Sequence, residues 1–116
     1  MLEFAHIIQI NDPEQPQIPP MTRQQLWDGL VFRSKYPEHF NPTISSTIEE
    51  YTDDGFVRKL SFGSGHLHDR VILVDKEEIR TTPVDEQQAL FAQSTTKIEE
   101  PVPGYFFVRF SYRRDA

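Results

Sequence analysis

The order of the predicted elements constrains the fold of this chain more than any other feature. A helix is predicted from Thr22 to about Ser34, and strand-like segments then follow almost to the last residue. Thr22 can cap the helix, and Gln25 at the third helical position completes a capping box. One short helix followed only by strands predicts an α+β fold in which an antiparallel sheet curves around the helix.

The composition narrows the class of protein. A length of 116 residues predicts one domain spanning residues 1–116. The formal net charge of −6, with scattered basic residues, argues against nucleic acid or an anionic membrane surface as a partner. The absence of cysteine excludes a disulfide framework and a thiolate metal site. Without a signal peptide or an apolar run of about 20 residues, a cytoplasmic protein is expected.

Alternation of apolar and polar residues predicts the strands. Residues 2–10 alternate in this way and predict a half-buried strand, and a proline-rich connector follows at 11–20. The whole pattern predicts a sheet of six to seven strands. The later strands are predicted at about 44–51, 56–63, 66–75 and 105–113, with two weaker strands at about 78–82 and 90–99.

Side-chain parity predicts the hairpin loops, because cross-strand partners must point to the same face of a sheet. Parity predicts a three-residue loop at 53–55 with Gly55 in the left-handed conformation. It predicts a two-residue turn at 64–65 between the next two strands. For the last hairpin it predicts an odd-numbered loop closed by residues 101–103.

Several stretches of the chain are similar to one known family. They resemble the AtaL-like family, a small branch of the START / polyketide-cyclase / birch-pollen-allergen-like (SRPBCC) superfamily. This resemblance implies a helix-grip fold, in which a curved antiparallel sheet surrounds a cavity that a long C-terminal helix usually closes. It also implies binding of apolar small molecules, and some superfamily members are cyclases, but no settled activity comes with the family. The stretches are FAH at 4–6, QINDP at 9–13, IPPMTRQQLWDGL at 18–30, DRV at 69–71, IEEPVPG at 98–104 and FVRF at 107–110.

The chain departs from the pattern that this resemblance implies. It stops soon after the last predicted strand, where the long helix is expected, and 83–91 lacks an expected glycine-rich turn. The sequence therefore predicts a truncated helix-grip domain with an open apolar groove. Because an exposed apolar patch of this kind normally finds a partner, a homodimer is expected.

The apolar faces predict a binding site for an apolar small molecule, aromatic or polyketide-like. The even-numbered Phe106 and Phe110 of the last strand should face the same space as Trp27 of the helix. No cofactor or metal is predicted, since His66 and His68 at i, i+2 lack an obvious third ligand. The predicted ligand-binding residues are Trp27, Leu30, Arg58, Leu60, Phe62, Asp69, Val71, Leu73, Ile98, Phe106, Phe110 and Tyr112.

Three polar residues, His6, Arg58 and Asp69, fall on predicted apolar faces. With the turn at 64–65, Leu60 would pair with Asp69, and Arg58 would lie diagonal to Asp69 within reach of its carboxylate. The two charges would form either a structural ion pair or a polar anchor for a ligand head group. His6 would be either a satisfied buried histidine or a general base tuned by that pair.

Three functions remain open from the sequence. The first is binding of an apolar small molecule between sheet and helix. The second is a cyclase or isomerase that uses His6 with the Arg58 and Asp69 pair. The third is a protein-interaction module that dimerises through the open groove. Catalytic residues cannot be assigned, because no nucleophile elbow or phosphate-binding glycine loop is present.

Overall fold

A computed structural model describes residues 2–84 and 92–114. Seven strands form one antiparallel sheet in the order β1-β7-β6-β5-β4-β3-β2. This confirms the predicted helix-grip α+β class, whereas the predicted strand start at residue 90 and most of 83–91 lie outside the described residues. The elements are β1 (Leu2–Gln9), α1 (Arg23–Lys35), a short 3₁₀ helix (Pro37–His39), β2 (Ile44–Thr52), β3 (Gly55–Phe62), β4 (Gly65–Val74), β5 (Glu78–Pro83), β6 (Ala92–Val102) and β7 (Tyr105–Arg114).

The helix α1 begins at the predicted capping box. The Gln25 amide donates a hydrogen bond to Thr22 Oγ1 at 3.0 Å, and the Thr22 amide donates to Gln25 Oε1 at 2.9 Å. These bonds satisfy two of the amides that a helix start leaves unpaired. Within the described residues, no helix is long and apolar enough to span a membrane.

Asn11 fixes the connector between β1 and α1. Its side chain is buried, with 4% of its surface exposed. Its Nδ2 donates to the Met21 carbonyl at 2.6 Å, and its Oδ1 accepts from the Met21 amide at 2.9 Å. The side chain thus pairs with the backbone as a neighbouring strand would, and it holds the residue before the helix cap against the start of the connector.

The core lies between the first half of α1 and the face of the sheet toward the helix, which we call the inner face. Leu26 and Trp27 pack there against buried side chains from five strands. Full burial of one such side chain stabilises the fold by about 1.5–3 kcal/mol. The buried apolar residues are Leu26, Trp27, Phe56, Val71, Ile79, Ile98, Phe106 and Val108.

The loop between β2 and β3 corrects the first hairpin prediction. Thr52 pairs with Gly55, so the turn has two residues, 53–54, and Gly55 begins β3 with no left-handed conformation. The register shifts between Ile48 and Glu50. This β-bulge adds the extra residue that parity requires, so the predicted three-residue loop was wrong although the parity was right.

The prediction for the last hairpin was wrong for the same reason. Val102 pairs with Tyr105, which leaves a two-residue turn at 103–104 in place of the predicted odd loop. A register shift between Glu99 and Val102 restores the parity. Ile98 consequently pairs with Val108, and both side chains are buried on the inner face.

The turn between β3 and β4 has the predicted length but a different position. Phe62 pairs with Gly65, so the turn residues are Gly63 and Ser64. Gly63 has φ +56°, and type II′ turns place glycine at this first position because other residues rarely adopt it. The predicted turn at 64–65 was therefore wrong by one residue.

This shift changes the cross-strand partners by two residues. Leu60 pairs with Leu67, not with Asp69, and Arg58 lies directly opposite Asp69. Because a shift of two residues preserves parity, the inner face still carries the predicted side chains. The predicted diagonal relation between Arg58 and Asp69 becomes a direct one.

Two glycines should respond oppositely to alanine. A β-carbon at Gly55 would overlap the carbonyl oxygen of Val71, whereas one at Gly29 would meet nothing within 4 Å. We expect Gly55→Ala to lower the free energy of unfolding by about 1–3 kcal/mol. Gly29→Ala should raise it by up to about 1 kcal/mol, because alanine favours a helix interior. Urea unfolding measures both, and equal effects of the two substitutions would contradict the close contact at Gly55.

Candidate functional site

A cavity of about 500 Å³ lies between the second half of α1, the 3₁₀ helix and the inner face. The core fills the space under the first half of the helix, so the cavity continues where the core ends. Its apolar lining is Phe4, Leu30, Pro37, Phe40, Ile44, Leu60, Ile79, Phe110 and Tyr112. Its polar lining is His6, Arg33, Ser34, Asn41, Arg58, Thr81, Ser94, Thr95, Thr96 and Ser111.

The cavity brings together part of the predicted set. The predicted residues that line it are His6, Leu30, Arg58, Leu60, Phe110 and Tyr112. Trp27, Val71, Ile98 and Phe106 belong to the core, and Leu73 packs against it. Asp69 is buried opposite Arg58, and Phe62 is exposed beside the β3–β4 turn.

The Arg58 and Asp69 side chains form a buried ion pair. Their closest atoms, Nη2 and Oδ2, are 3.4 Å apart, and 13% and 11% of the two side chains are exposed. Arg58 Nη1 also donates to the Ser34 carbonyl in the last turn of α1 at 2.6 Å. Its Nε is buried and has no hydrogen-bond partner within the described residues.

Burial governs the protonation of both members of this pair. It raises the pKa of the Asp69 carboxyl above its ordinary value, although the charge of Arg58 opposes the rise. It also lowers the pKa of the Arg58 guanidinium, again against the influence of Asp69. Both directions show that the attraction between the charges does not fully offset their loss of water.

Arg33 and His6 both line the cavity, and each is placed by its relation to Phe110. The Arg33 guanidinium lies over the Phe110 ring, 5.0 Å from its centroid. His6 pairs with Phe110 across β1 and β7, so its side chain is on the inner face as predicted. It is exposed, however, and makes no side-chain hydrogen bond in the part of the chain described here.

The two histidines of β4 lie on the opposite face from Asp69 and Val71. His68 Nδ1 is 2.8 Å from Glu49 Oε1, and His66 Nδ1 is 3.3 Å from Ser61 Oγ. Across 2–84 and 92–114, no group of three or more potential metal ligands comes together. The described residues therefore offer no candidate metal centre.

The sequence predictions missed several lining residues. Arg33 follows Leu30 by three residues, and this spacing places both on one helix face. Ile44 and Ile48 are four residues apart in the predicted strand at 44–51, so alternation alone places both on one face. Phe40 and Asn41 carried no comparable signal, because they follow the 3₁₀ helix and no periodic pattern fixes their direction.

Comparisons with known proteins agree with this architecture. The family profile described as "AtaL: Acetylaranotin biosynthesis cluster protein L" matches residues 8–116. Comparison with curated proteins gave no significant match.

Similar solved structures include the Aha1 dimer from Colwellia psychrerythraea, with a TM-score of 0.62 and 15% identity over 100% of this chain and 78% of that chain. They also include Ara h 8.0201, with a TM-score of 0.63 and 16% identity over 99% of this chain and 78% of that chain. XoxI from Bacillus cereus has a TM-score of 0.56 and 19% identity over 98% and 75% of the two chains. At these identities the structural similarities show the fold alone.

The buried ion pair leads to a prediction about stability. Removing one partner in Arg58→Met or Asp69→Leu leaves the other charge buried alone, so each variant should lose about 3–5 kcal/mol of unfolding free energy. The double variant removes both charges and should recover to within about 1 kcal/mol of the wild type. Urea unfolding of the four proteins measures this. Losses that simply add in the double variant would contradict it.

Proposed function

Because this chain belongs to the AtaL family of the SRPBCC superfamily, we propose that it binds an apolar small molecule, aromatic or polyketide-like, in the cavity under α1. The observation that carries the proposal is the cavity itself. Its volume of about 500 Å³ falls within the range of about 300–1,000 Å³ typical of small-molecule pockets. Its mixed lining would provide affinity through apolar contacts and orientation through polar groups.

The aromatic lining supports a ligand that contains a ring. Phe4 and Tyr112 stack at one side of the cavity, with centroids 5.0 Å apart and an interplanar angle of 29°. Phe110 lies two residue pairs further along the same two strands, at the next pair on the same face of the sheet. Such faces favour a flat aromatic or polyene body through stacking and edge contacts. The family description, which refers to a biosynthesis cluster, also supports a small organic ligand.

Binding of an uncharged fluorescent probe tests the proposal. N-phenyl-1-naphthylamine should bind with a blue shift and an increase in emission, because its rings would leave water for the cavity. Leu60→Trp should weaken this binding at least about tenfold, since the larger side chain occupies cavity space.

A matched control separates filling of the cavity from a general effect of tryptophan. Ser61→Trp places the same side chain at the next position of β3, on the opposite face. It should leave the dissociation constant of the probe unchanged. Absence of probe binding to the wild type, or equal effects of the two substitutions, would contradict the proposed site.

The second hypothesis, a cyclase or isomerase, receives less support. His6 and Arg58 both line the cavity, but Asp69 does not. A general base is usually oriented by a hydrogen bond to a third group. No such partner for His6 is present among the described residues. Binding is therefore the function that the geometry supports best.

A homodimer is the assembly that we propose for this protein. Phe4 and Ile8 of the edge strand β1 are 62% and 41% exposed, and their partners on β7 place both on the inner face. Exposed apolar side chains on an edge strand favour association with another chain. The dimeric Aha1 structure provides a precedent for self-association of this fold.

Sedimentation velocity tests the dimer. The wild type should sediment as a dimer at micromolar concentration, and Phe4→Lys should shift it toward monomer because a charge would replace the exposed ring. Tyr51→Lys is the control, since Tyr51 is 66% exposed on β2 at the other edge of the sheet. A monomeric wild type would rule the dimer out.

A further inference from the structure

We propose that the ligand carries an anionic head group, a carboxylate, on its apolar body. This inference rests on the proposed function, and it concerns the charge of the same cavity. Arg33, Arg58 and His6 line the cavity, and no aspartate or glutamate of the described residues does so. The charged side chains of the lining are arginines, one of them paired with Asp69, whereas the chain as a whole has 18 acidic and 12 basic residues.

Arg33 is the main anchor in this proposal. Its guanidinium lies over Phe110 and forms neither an ion pair nor a hydrogen bond with any other described residue. All of its N–H donors therefore remain available to a ligand. A guanidinium binds a carboxylate through two parallel hydrogen bonds, which add geometric specificity to the attraction between the charges.

Arg58 provides a second cation at the same end of the cavity, and only some of its N–H donors have partners. Its contact with Asp69 is long, at 3.4 Å, and its Nε has no partner within the described part of the chain. Buried polar atoms usually have a partner, so this guanidinium is incompletely satisfied. Its bond to the Ser34 carbonyl places it beside the residue that follows Arg33.

The arrangement of the lining gives the ligand a direction. Its carboxylate would lie near Arg33 and Arg58, where α1 ends. Its apolar body would extend past Phe110 toward Phe4 and Tyr112, which are stacked further along β1 and β7. The end of a helix disfavours an anion, but Arg58 already donates to a carbonyl there and reduces that effect.

Displacement of bound N-phenyl-1-naphthylamine by decanoate and by 1-decanol tests the inference near neutral pH. These two competitors share an alkyl chain and differ in the charge of the head group. Arg33→Gln should weaken decanoate about tenfold or more and leave decanol unchanged. Lys59→Gln, which removes the same charge from the opposite face of β3, should change neither competitor.

A second variant tests the contribution of Arg58. It replaces both members of the ion pair, because replacing Arg58 alone would leave the Asp69 charge unpaired. The Arg58→Met/Asp69→Leu double variant should also weaken decanoate more than decanol. If the neutral probe binds but Arg33→Gln affects both competitors equally, the anionic head group is overturned and the proposed function stands. If the neutral probe does not bind the wild type, both proposals fail.

Discussion

The packing of α1 against the inner face of the sheet is the constraint on which the rest of the structure depends. Leu26 and Trp27 bury the first half of the helix in the core. An arginine holds each end: Arg23 donates to the Lys76 carbonyl at 2.8 Å, and Arg58 donates to the Ser34 carbonyl at 2.6 Å. Because the core ends under the middle of the helix, the second half covers a cavity and not a packed interior.

The Arg58 and Asp69 pair connects this packing with the proposed function. Burial lowers the pKa of Arg58 and raises that of Asp69, and both changes favour the neutral side chains. The attraction between the two charges therefore adds little to stability beyond offsetting the cost of removing them from water. Groups perturbed in this way are more common at functional sites than elsewhere. A cation that is costly to bury and faces a cavity is therefore consistent with a ligand that would compensate for it.

The hairpins show which part of a sheet can be predicted from parity. The faces assigned to the strands that pack on the core were correct, because alternation there depends on whether a side chain meets the core or solvent. The predicted half-buried strand β1 is instead exposed from residue 3 to residue 9, because the core does not extend under this edge. Two predicted loop lengths were wrong. Parity fixes only whether the number of residues between two paired positions is odd or even, and an extra residue can lie either in the loop or in a β-bulge of the strand. The bulges near Glu49 and Glu100 lie in the strands, and their bent backbone is compatible with many sequences.

The sequence by itself determined the features that depend on neighbouring residues: the capping box at Thr22, the number and faces of the strands, and the residues that carry the family resemblance. Only the tertiary structure decided which of these residues form the core and which line the cavity. Trp27 and Leu30 belong to one helical stripe, yet the first is buried in the core and the second faces the cavity. The physical reason is that periodicity fixes the direction of a side chain, whereas the distance from helix to sheet fixes whether a protein atom or empty space lies opposite it.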